Sequence, residues 1–189
     1  MWFKKRRTRA LLGLSGLAAL AVGFLLLPLA MPHLRDHREW IKAVRARTRG
    51  AFLVKEEGVV QQVRGNDCGA ACLKMVLAAR GIALSLPDLT LKLKTTESGT
   101  SMLNLRLVAA GLGVAARSWV ITCADLHSVP LPAIAFINED HFVVIRRMVA
   151  PEVLEVDDPA LGRLRWPVRS FRKAWQGQAL VFDPAWIPP

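Results

Sequence analysis

The sequence has few of the residues that build disulfide frameworks and metal clusters, with three cysteines and four histidines among 189 residues. The number of cysteines is odd, and Cys68 and Cys72 stand only one helical turn apart, so we expect no disulfide framework. There is no Walker-type Gly-Lys-Ser/Thr loop, no internal repeat and no low-complexity tract. These absences argue against a P-loop nucleotide-binding protein and a repeat protein, and leave one ordinary domain with an appendage.

Basic charge is concentrated near the N-terminus. Residues 1–49 hold 11 of the 26 basic and 2 of the 15 acidic residues, a net charge of +9, whereas the rest of the chain carries +2. Basic residues that flank an apolar segment are typical of contact with membrane headgroups rather than with a nucleic-acid duplex. We therefore expect no nucleic-acid partner.

Residues 10–32 carry no charge and predict a transmembrane anchor between a basic N-terminus (1–9) and a basic juxtamembrane helix or linker (33–50). At about 1.5 Å per residue this segment is long enough to cross a hydrocarbon core of about 30 Å. A cleaved signal peptide is the alternative, although cleavage after Ala30 would put Pro28 at position −3. Because a basic N-terminus ahead of the first span normally stays inside, we expect a single-pass protein of the bacterial cytoplasmic (inner) membrane with its domain on the outer, periplasmic face.

One segment places a cysteine at the start of a predicted helix. Asn66 and Asp67 are helix-capping types, and the apolar spacing after them predicts a helix over about 68–80. Cys68 is expected in the first turn of this helix. Its thiol then lies near the positive end of the helix dipole, which favours the nucleophilic thiolate. Gln62 offers a side-chain amide that can hydrogen-bond an oxyanion beside the sulfur. The segment is therefore typical of a hydrolase.

Helical patterns come first along the chain and strand patterns follow. Further helices are predicted after Pro87 and from the capping residues 98–101 to Ala110. Helices followed by antiparallel strands indicate an α+β domain, which we place at residues 51–189. Short apolar runs separated by turn residues predict strands at 114–121, 133–137, 141–146, 153–156 and 180–182.

A cysteine nucleophile needs a base, and His141 is the best placed of the four histidines. It opens a predicted strand, where its ring can be held rigidly, whereas His127 lies in a polar turn and is expected at the surface. His33 and His37 flank the predicted span without any cluster of cysteines or carboxylates, so we expect no metal site there.

A carboxylate to orient His141 follows 16 or 17 residues later, in Asp157 and Asp158. Both come at the end of a strand that we expect beside the His141 strand, which gives the order cysteine, histidine, aspartate. Asp158 shares strand phase with Val156 and is preferred. Asp157 takes the role if the strand ends one residue earlier.

Four segments in fixed order resemble the C39 family of cysteine peptidases, the papain-like domains best known at the N-terminus of bacteriocin-exporting ABC transporters. The resemblance runs from about Val59 to Val181 and implies helices that carry the cysteine, packed on an antiparallel sheet that carries the histidine and aspartate. The segments are Gln62-x5-Cys68 within Asp67-Cys68-Gly69-Ala70-Ala71-Cys72-Leu73, then His141-Phe142-Val143-Val144, Asp158-Pro159-Ala160-x-Gly162 and Phe171-x3-Trp175-x-Gly177.

The resemblance also implies a role for each site residue. Cys68 is implied as the nucleophile, His141 as general base and then acid, and Asp158, which directly precedes a proline as in the family's Asp-Pro pair, as the group that orients the imidazole. Gln62, preferred over Gln61 by its spacing to the cysteine, is implied as the oxyanion donor together with the Cys68 backbone N–H. No cofactor is implied.

The family's usual activity is cleavage of a leader peptide after a double-glycine-type pair, coupled to export. Because this chain has one predicted span and no nucleotide-binding loop, we expect a stand-alone, membrane-tethered endopeptidase that acts on a secreted polypeptide, beside a separate secretion apparatus. The alternative is a non-catalytic module that docks a leader. The remaining aromatic and thiol side chains are expected in the core, namely Trp166, Phe171, Trp175, Cys72 and Cys123.

Overall fold

A computed structural model describes residues 37–183 of the chain. The chain divides into two compact units, Met1–Ile41 and Lys42–Pro189, and the fold below is that of the second unit. Among residues 37–183, every helix is too short or too polar to cross a membrane. The span predicted at residues 10–32 lies outside the described residues.

The described helices and strands follow the predicted order only in part, because a two-residue strand precedes the helix that begins at Cys68 and an unpredicted helix lies between the last two strands. The helices are α1 (His37–Thr48), α2 (Cys68–Ala78), α3 (Leu86–Lys92), α4 (Met102–Gly111) and α5 (Val168–Ala174), with a 3-10 helix at Asp125–His127. The strands are β1 (Phe52–Leu53), β2 (Ala116–Val120), β3 (Ala133–Ile137), β4 (His141–Ala150), β5 (Val153–Asp158), β6 (Gly162–Pro167) and β7 (Trp175–Phe182).

All seven of these strands form one antiparallel sheet, in the order β1-β6-β5-β4-β3-β7-β2. The predicted α+β class with an antiparallel sheet is confirmed. The sequence does not predict β1 and β6, because the first has two residues and the second alternates arginines with Leu164 and Trp166 instead of forming an apolar run. The structure also extends β5 through Asp157 and Asp158, two residues beyond the predicted strand at 153–156.

The sheet is covered on both faces because successive strand residues point to opposite sides. Phe142 and Val144 pack in one cluster with α2, α3 and α4. Their neighbours Val143 and Ile145 belong to a second cluster, on the side of α5. In that second cluster Trp166, Phe171 and Trp175 are buried as predicted.

Helix α2 approaches β4 closely at Gly69. A Cβ atom on Gly69 would lie 2.5 Å from Cγ2 of Thr100 and 3.3 Å from Cδ2 of Phe142. Because Gly69 follows Cys68 and Phe142 follows His141, this contact brings the first turn of α2 to the start of β4. A larger residue would separate the two elements.

We predict that Gly69→Ala lowers the free energy of unfolding by about 1–3 kcal/mol, because the added methyl group forces Thr100 and the helix to shift. Gly111→Ala is the matched control, since a Cβ there meets nothing within 4 Å. This control is expected to leave stability unchanged or to raise it by up to about 1 kcal/mol. Urea denaturation of both variants measures the difference, and equal effects would contradict the packing argument.

Candidate active site

His141 and Asp158 meet where β4 begins and β5 ends. The Nε2 atom of His141 donates to Oδ1 of Asp158 at 2.8 Å. The Asp158 side chain is fully buried, and that of His141 is 12% exposed. The Cys68 side chain interacts with the imidazole as well and helps to raise the pKa of His141. Because Nε2 is engaged by the carboxylate, Nδ1 is the ring nitrogen left for the sulfur.

The Asp158 carboxylate is held by several donors. Oδ1 also accepts from the backbone N–H of Ala160 at 2.8 Å and that of Leu161 at 3.3 Å, in the turn that leads into β6. Oδ2 accepts from Nη1 of Arg49 at 3.5 Å. These donors replace the water that burial removes from the two carboxylate oxygens.

Asp157 is engaged elsewhere. Its carboxylate forms a bidentate pair with Arg163, with Nε–Oδ1 at 2.7 Å and Nη2–Oδ2 at 3.3 Å. The two residues stand directly opposite each other on β5 and β6. Hydrogen bonding to Asp157 raises the pKa of Arg163 despite burial, which alone lowers it. The carboxylate beside His141 is therefore that of Asp158, because neighbouring strand residues point to opposite faces.

Cys68 is the first residue of α2 and is buried, with 6% of its surface exposed. Asp67 occupies the N-cap position, yet its side chain makes no capping hydrogen bond to α2, contrary to the role suggested by its residue type. Its Oδ2 atom turns back and accepts from the N–H groups of Val63 at 3.2 Å and Arg64 at 3.1 Å. The first turn of α2 thus has no side-chain cap beside Cys68.

Gln62 lies next to the turn that follows Asp158. Its backbone N–H donates to the carbonyl of Pro159 at 2.9 Å, which joins the loop before Cys68 to that turn. The side-chain Nε2 donates to the carbonyl of Arg64 at 3.0 Å, and Oε1 is buried without a partner among the described residues. An amide nitrogen has two hydrogens, so one remains for another acceptor.

The electrostatics of the site favour a protonated histidine. Burial lowers the pKa of His141, but the hydrogen bonds with Asp158 and Cys68 outweigh it and raise the pKa to about 9. At neutral pH the ring is therefore a cation that interacts with the Cys68 side chain. A neighbouring imidazolium is the partner that a reactive thiolate requires.

The other thiols and histidines do not join this site. Cys72 is fully buried as predicted, and burial raises the pKa of its thiol well above the usual value. Cys123 is only half-buried, contrary to prediction, because it lies in the turn between β2 and the 3-10 helix. His127 is exposed, as predicted. Nothing is described of the side chains of His33 and His37.

We predict that wild-type protein loses stability relative to His141→Gln as the pH rises. The pKa of His141 is raised from 6.5 to about 9 in the folded protein. The protonated ring therefore adds to the free energy of unfolding in full below about pH 6.5, and this stabilisation is lost as the pH passes through about 9. The loss of wild-type stability relative to His141→Gln over this pH range amounts to roughly 3 kcal/mol. Urea denaturation of the two proteins at pH 6 and pH 9.5 measures it, and parallel pH dependences would contradict the raised pKa.

Comparison with known proteins assigns this chain to a family. Residues 56–186 match the Peptidase C39 family. An uncharacterized protein of Methanothermobacter marburgensis is 33% identical over 128 residues, which are 68% of this chain and 89% of that protein. The probable functional amyloid protease FapD of Pseudomonas aeruginosa is 33% identical over 131 residues, which are 63% of this chain and 57% of FapD.

A solved structure shares the fold. The crystal structure of a double glycine motif protease from an AMS/PCAT transporter, in complex with the leader peptide, superimposes with a TM-score of 0.64 at 27% identity, over 68% of this chain and 92% of that one. The α+β domain described above therefore has the papain-like fold of these peptidase domains. From its ordered motifs, its fold and these matches, the chain belongs to the C39 family of cysteine peptidases.

Proposed function

We propose that this protein is a cysteine endopeptidase that removes a double-glycine-type leader from a secreted polypeptide. Cys68 is the nucleophile, His141 the general base and acid, and Asp158 the group that orients the imidazole. The observation that carries the proposal is the position of His141, which bonds Asp158 at 2.8 Å through Nε2 and whose pKa is raised by both Asp158 and Cys68. Nucleophile, base and orienting group in contact are the arrangement that thiol catalysis requires.

The chemistry follows from these positions. The Cys68 thiolate attacks the carbonyl carbon of the second glycine, and the charge moves to the carbonyl oxygen. The Cys68 backbone N–H and the second hydrogen of the Gln62 side-chain amide stabilise that oxyanion. His141 gives its proton to the leaving amine, which leaves a thioester on Cys68. Water, deprotonated by His141, then hydrolyses the thioester and restores the thiolate.

The restricted access to the site supports a substrate with small residues at the scissile bond. Cys68 is 6% exposed and the His141 side chain 12% exposed, so little of the sulfur is accessible, which favours residues without side chains at the scissile bond. The structural neighbour is a double glycine motif protease by name, which agrees with this expectation. FapD is named as a functional amyloid protease, and its similarity supports a fibre-forming secreted protein as one substrate class.

A groove of about 420 Å³ beside Asp67 supports docking of an amphipathic leader helix. One wall is the loop that precedes Cys68, where Val63 is 82% exposed, and the other includes α3, where Leu91 is 78% exposed. Arg64 and Lys94 line the same groove. An apolar floor with basic residues suits a helix that has one apolar face and acidic residues beside it.

We predict that the full-length protein cleaves a leader peptide after Gly-Gly and that Cys68→Ala abolishes this cleavage, because the attacking sulfur is gone. The products are measured by mass spectrometry, and binding of the uncleaved peptide is measured in parallel. Equal cleavage by wild type and Cys68→Ala would contradict the peptidase proposal. Peptide binding without cleavage by the wild type would favour the alternative of a docking module.

The two neighbouring aspartates supply a matched control for that experiment. Asp158→Asn is expected to lower kcat by about a hundredfold or more, since the imidazole loses its orienting carboxylate. Asp157→Asn leaves Arg163 with Glu56 as its remaining carboxylate partner, so it is expected to lower stability by about 1–3 kcal/mol and to spare kcat. Reversed effects would move the orienting role to Asp157.

We also propose that residues 10–32 anchor the protein in a bacterial cytoplasmic membrane, with the catalytic domain on the outer face beside a separate secretion apparatus. The uncharged length of this segment and its basic flanks support the proposal. Alkaline phosphatase fused after Pro189 is therefore expected to be active in cells. An inactive phosphatase, together with an active cytoplasmic reporter at the same position, would place the domain on the inner face.

A further inference from the structure

Arg49 reaches the candidate active site from outside the part of the chain that matches the family. The match covers residues 56–186, whereas Arg49 lies in the turn between α1 and β1. Its Nη1 donates to Oδ2 of Asp158 at 3.5 Å across 109 residues of sequence. The lead-in to the family domain therefore contributes a charged side chain to the carboxylate that orients His141.

The turn that carries Arg49 is firmly attached to the domain. The indole N–H of the fully buried Trp166 donates to the Arg49 carbonyl at 3.2 Å. Gly50 has a φ of +72°, and a Cβ there would lie 2.7 Å from Oγ of Ser170, so the turn packs directly on α5. Immediately afterwards, β1 pairs with β6. These contacts fix the backbone from which the Arg49 side chain extends.

The two oxygens of Asp158 differ in how they are held. Oδ1 accepts from His141 and from two backbone N–H groups. Among the described residues, the hydrogen bond recorded for Oδ2 is that from Arg49. The carboxylate is fully buried, so water does not reach Oδ2. Without Arg49, that oxygen loses the hydrogen-bond donor that stands in for water. A carboxylate held at one oxygen rotates more freely about its Cβ–Cγ bond.

We propose that Arg49 is a positioning residue that fixes the plane of the Asp158 carboxylate and so keeps the His141 ring aligned with Cys68. This inference rests on the proposed peptidase function. It makes the turn at residues 48–51, which lies outside the family match, part of the functional unit. The Arg49 side chain is 37% exposed, so solvent screens its charge, and the proposed effect is on the orientation of the carboxylate.

Arg47 provides a matched control on the same segment. Its guanidinium lies 4.9 Å from the centre of the exposed Phe52 ring. Arg47→Met removes the same charge and the same volume as Arg49→Met, but it leaves the hydrogen bond to Asp158 intact. A difference between the two variants therefore reports the contact with the carboxylate and not the loss of one basic residue.

The first test measures peptide cleavage by the full-length protein. Arg49→Met is expected to lower kcat by about tenfold with KM unchanged, because alignment is lost while the substrate surface is not. Arg49→Lys, which restores a charged donor, is expected to recover kcat to within about threefold of wild type. Arg47→Met should stay within about twofold. If Arg49→Met does not fold, as judged by thermal denaturation, Arg49→Gln replaces it.

The second test needs no substrate. Alkylation of Cys68 by iodoacetamide at pH 7, followed by mass spectrometry of the peptide that contains it, reports the pairing of the thiolate with His141. Arg49→Met is expected to slow this alkylation by at least about threefold, and Arg47→Met to leave it unchanged. If the wild type cleaves no peptide, the proposed function is wrong while the alkylation rates still decide the role of Arg49.

Three results would overturn the inference. The first is a wild-type kcat and alkylation rate in Arg49→Met. The second is an equal loss in Arg47→Met, which would assign the effect to general charge. The third is a loss in Arg49→Lys as large as in Arg49→Met, which would show that the guanidinium acts by packing and not as a charged donor to Asp158.

Discussion

A carboxylate buried away from water destabilises a protein unless donors surround it, and Asp158 meets that requirement with groups from three parts of the chain. The ring of His141 comes from the start of β4, the N–H groups of Ala160 and Leu161 from the next turn, and Arg49 from the lead-in before β1. The need to satisfy one buried charge thus ties together the segments that form the site. It also explains why the His141 ring stays positively charged despite its burial.

Close packing supplies the remaining member of the site. Gly69 allows the first turn of α2 to lie against Phe142 and Thr100, so that Cys68 comes beside His141. The same absence of a side chain that makes this approach possible makes the position intolerant of larger residues. The contact of Gly69 with Phe142 therefore serves both stability and the proposed chemistry. Gly69 directly follows Cys68 in the chain, and Phe142 directly follows His141.

The local patterns predicted those parts of the fold that depend on local physics. The apolar spacing after Cys68 predicts α2, and the apolar runs predict β3 with its observed ends, since periodicity reflects which face of an element is buried. Strand β6 escaped prediction because its arginines interrupt the apolar pattern and Arg163 is stabilised by carboxylates that only the fold brings to it, those of Asp157 and Glu56. The side chain of Asp67 did not cap α2, because the preceding loop folds back and competes for it.

The sequence by itself determined the order of cysteine, histidine and aspartate, the class of the fold and the resemblance to the C39 family, because these follow from residue type, spacing and local periodicity. The sequence preferred Asp158 and left Asp157 as the alternative, and only the tertiary structure showed that Asp158 lies beside His141 and that Arg49 contacts it. These outcomes depend on which strands pair and on which buried charges find partners. Contacts of that kind join residues far apart in the chain, and no local pattern encodes them.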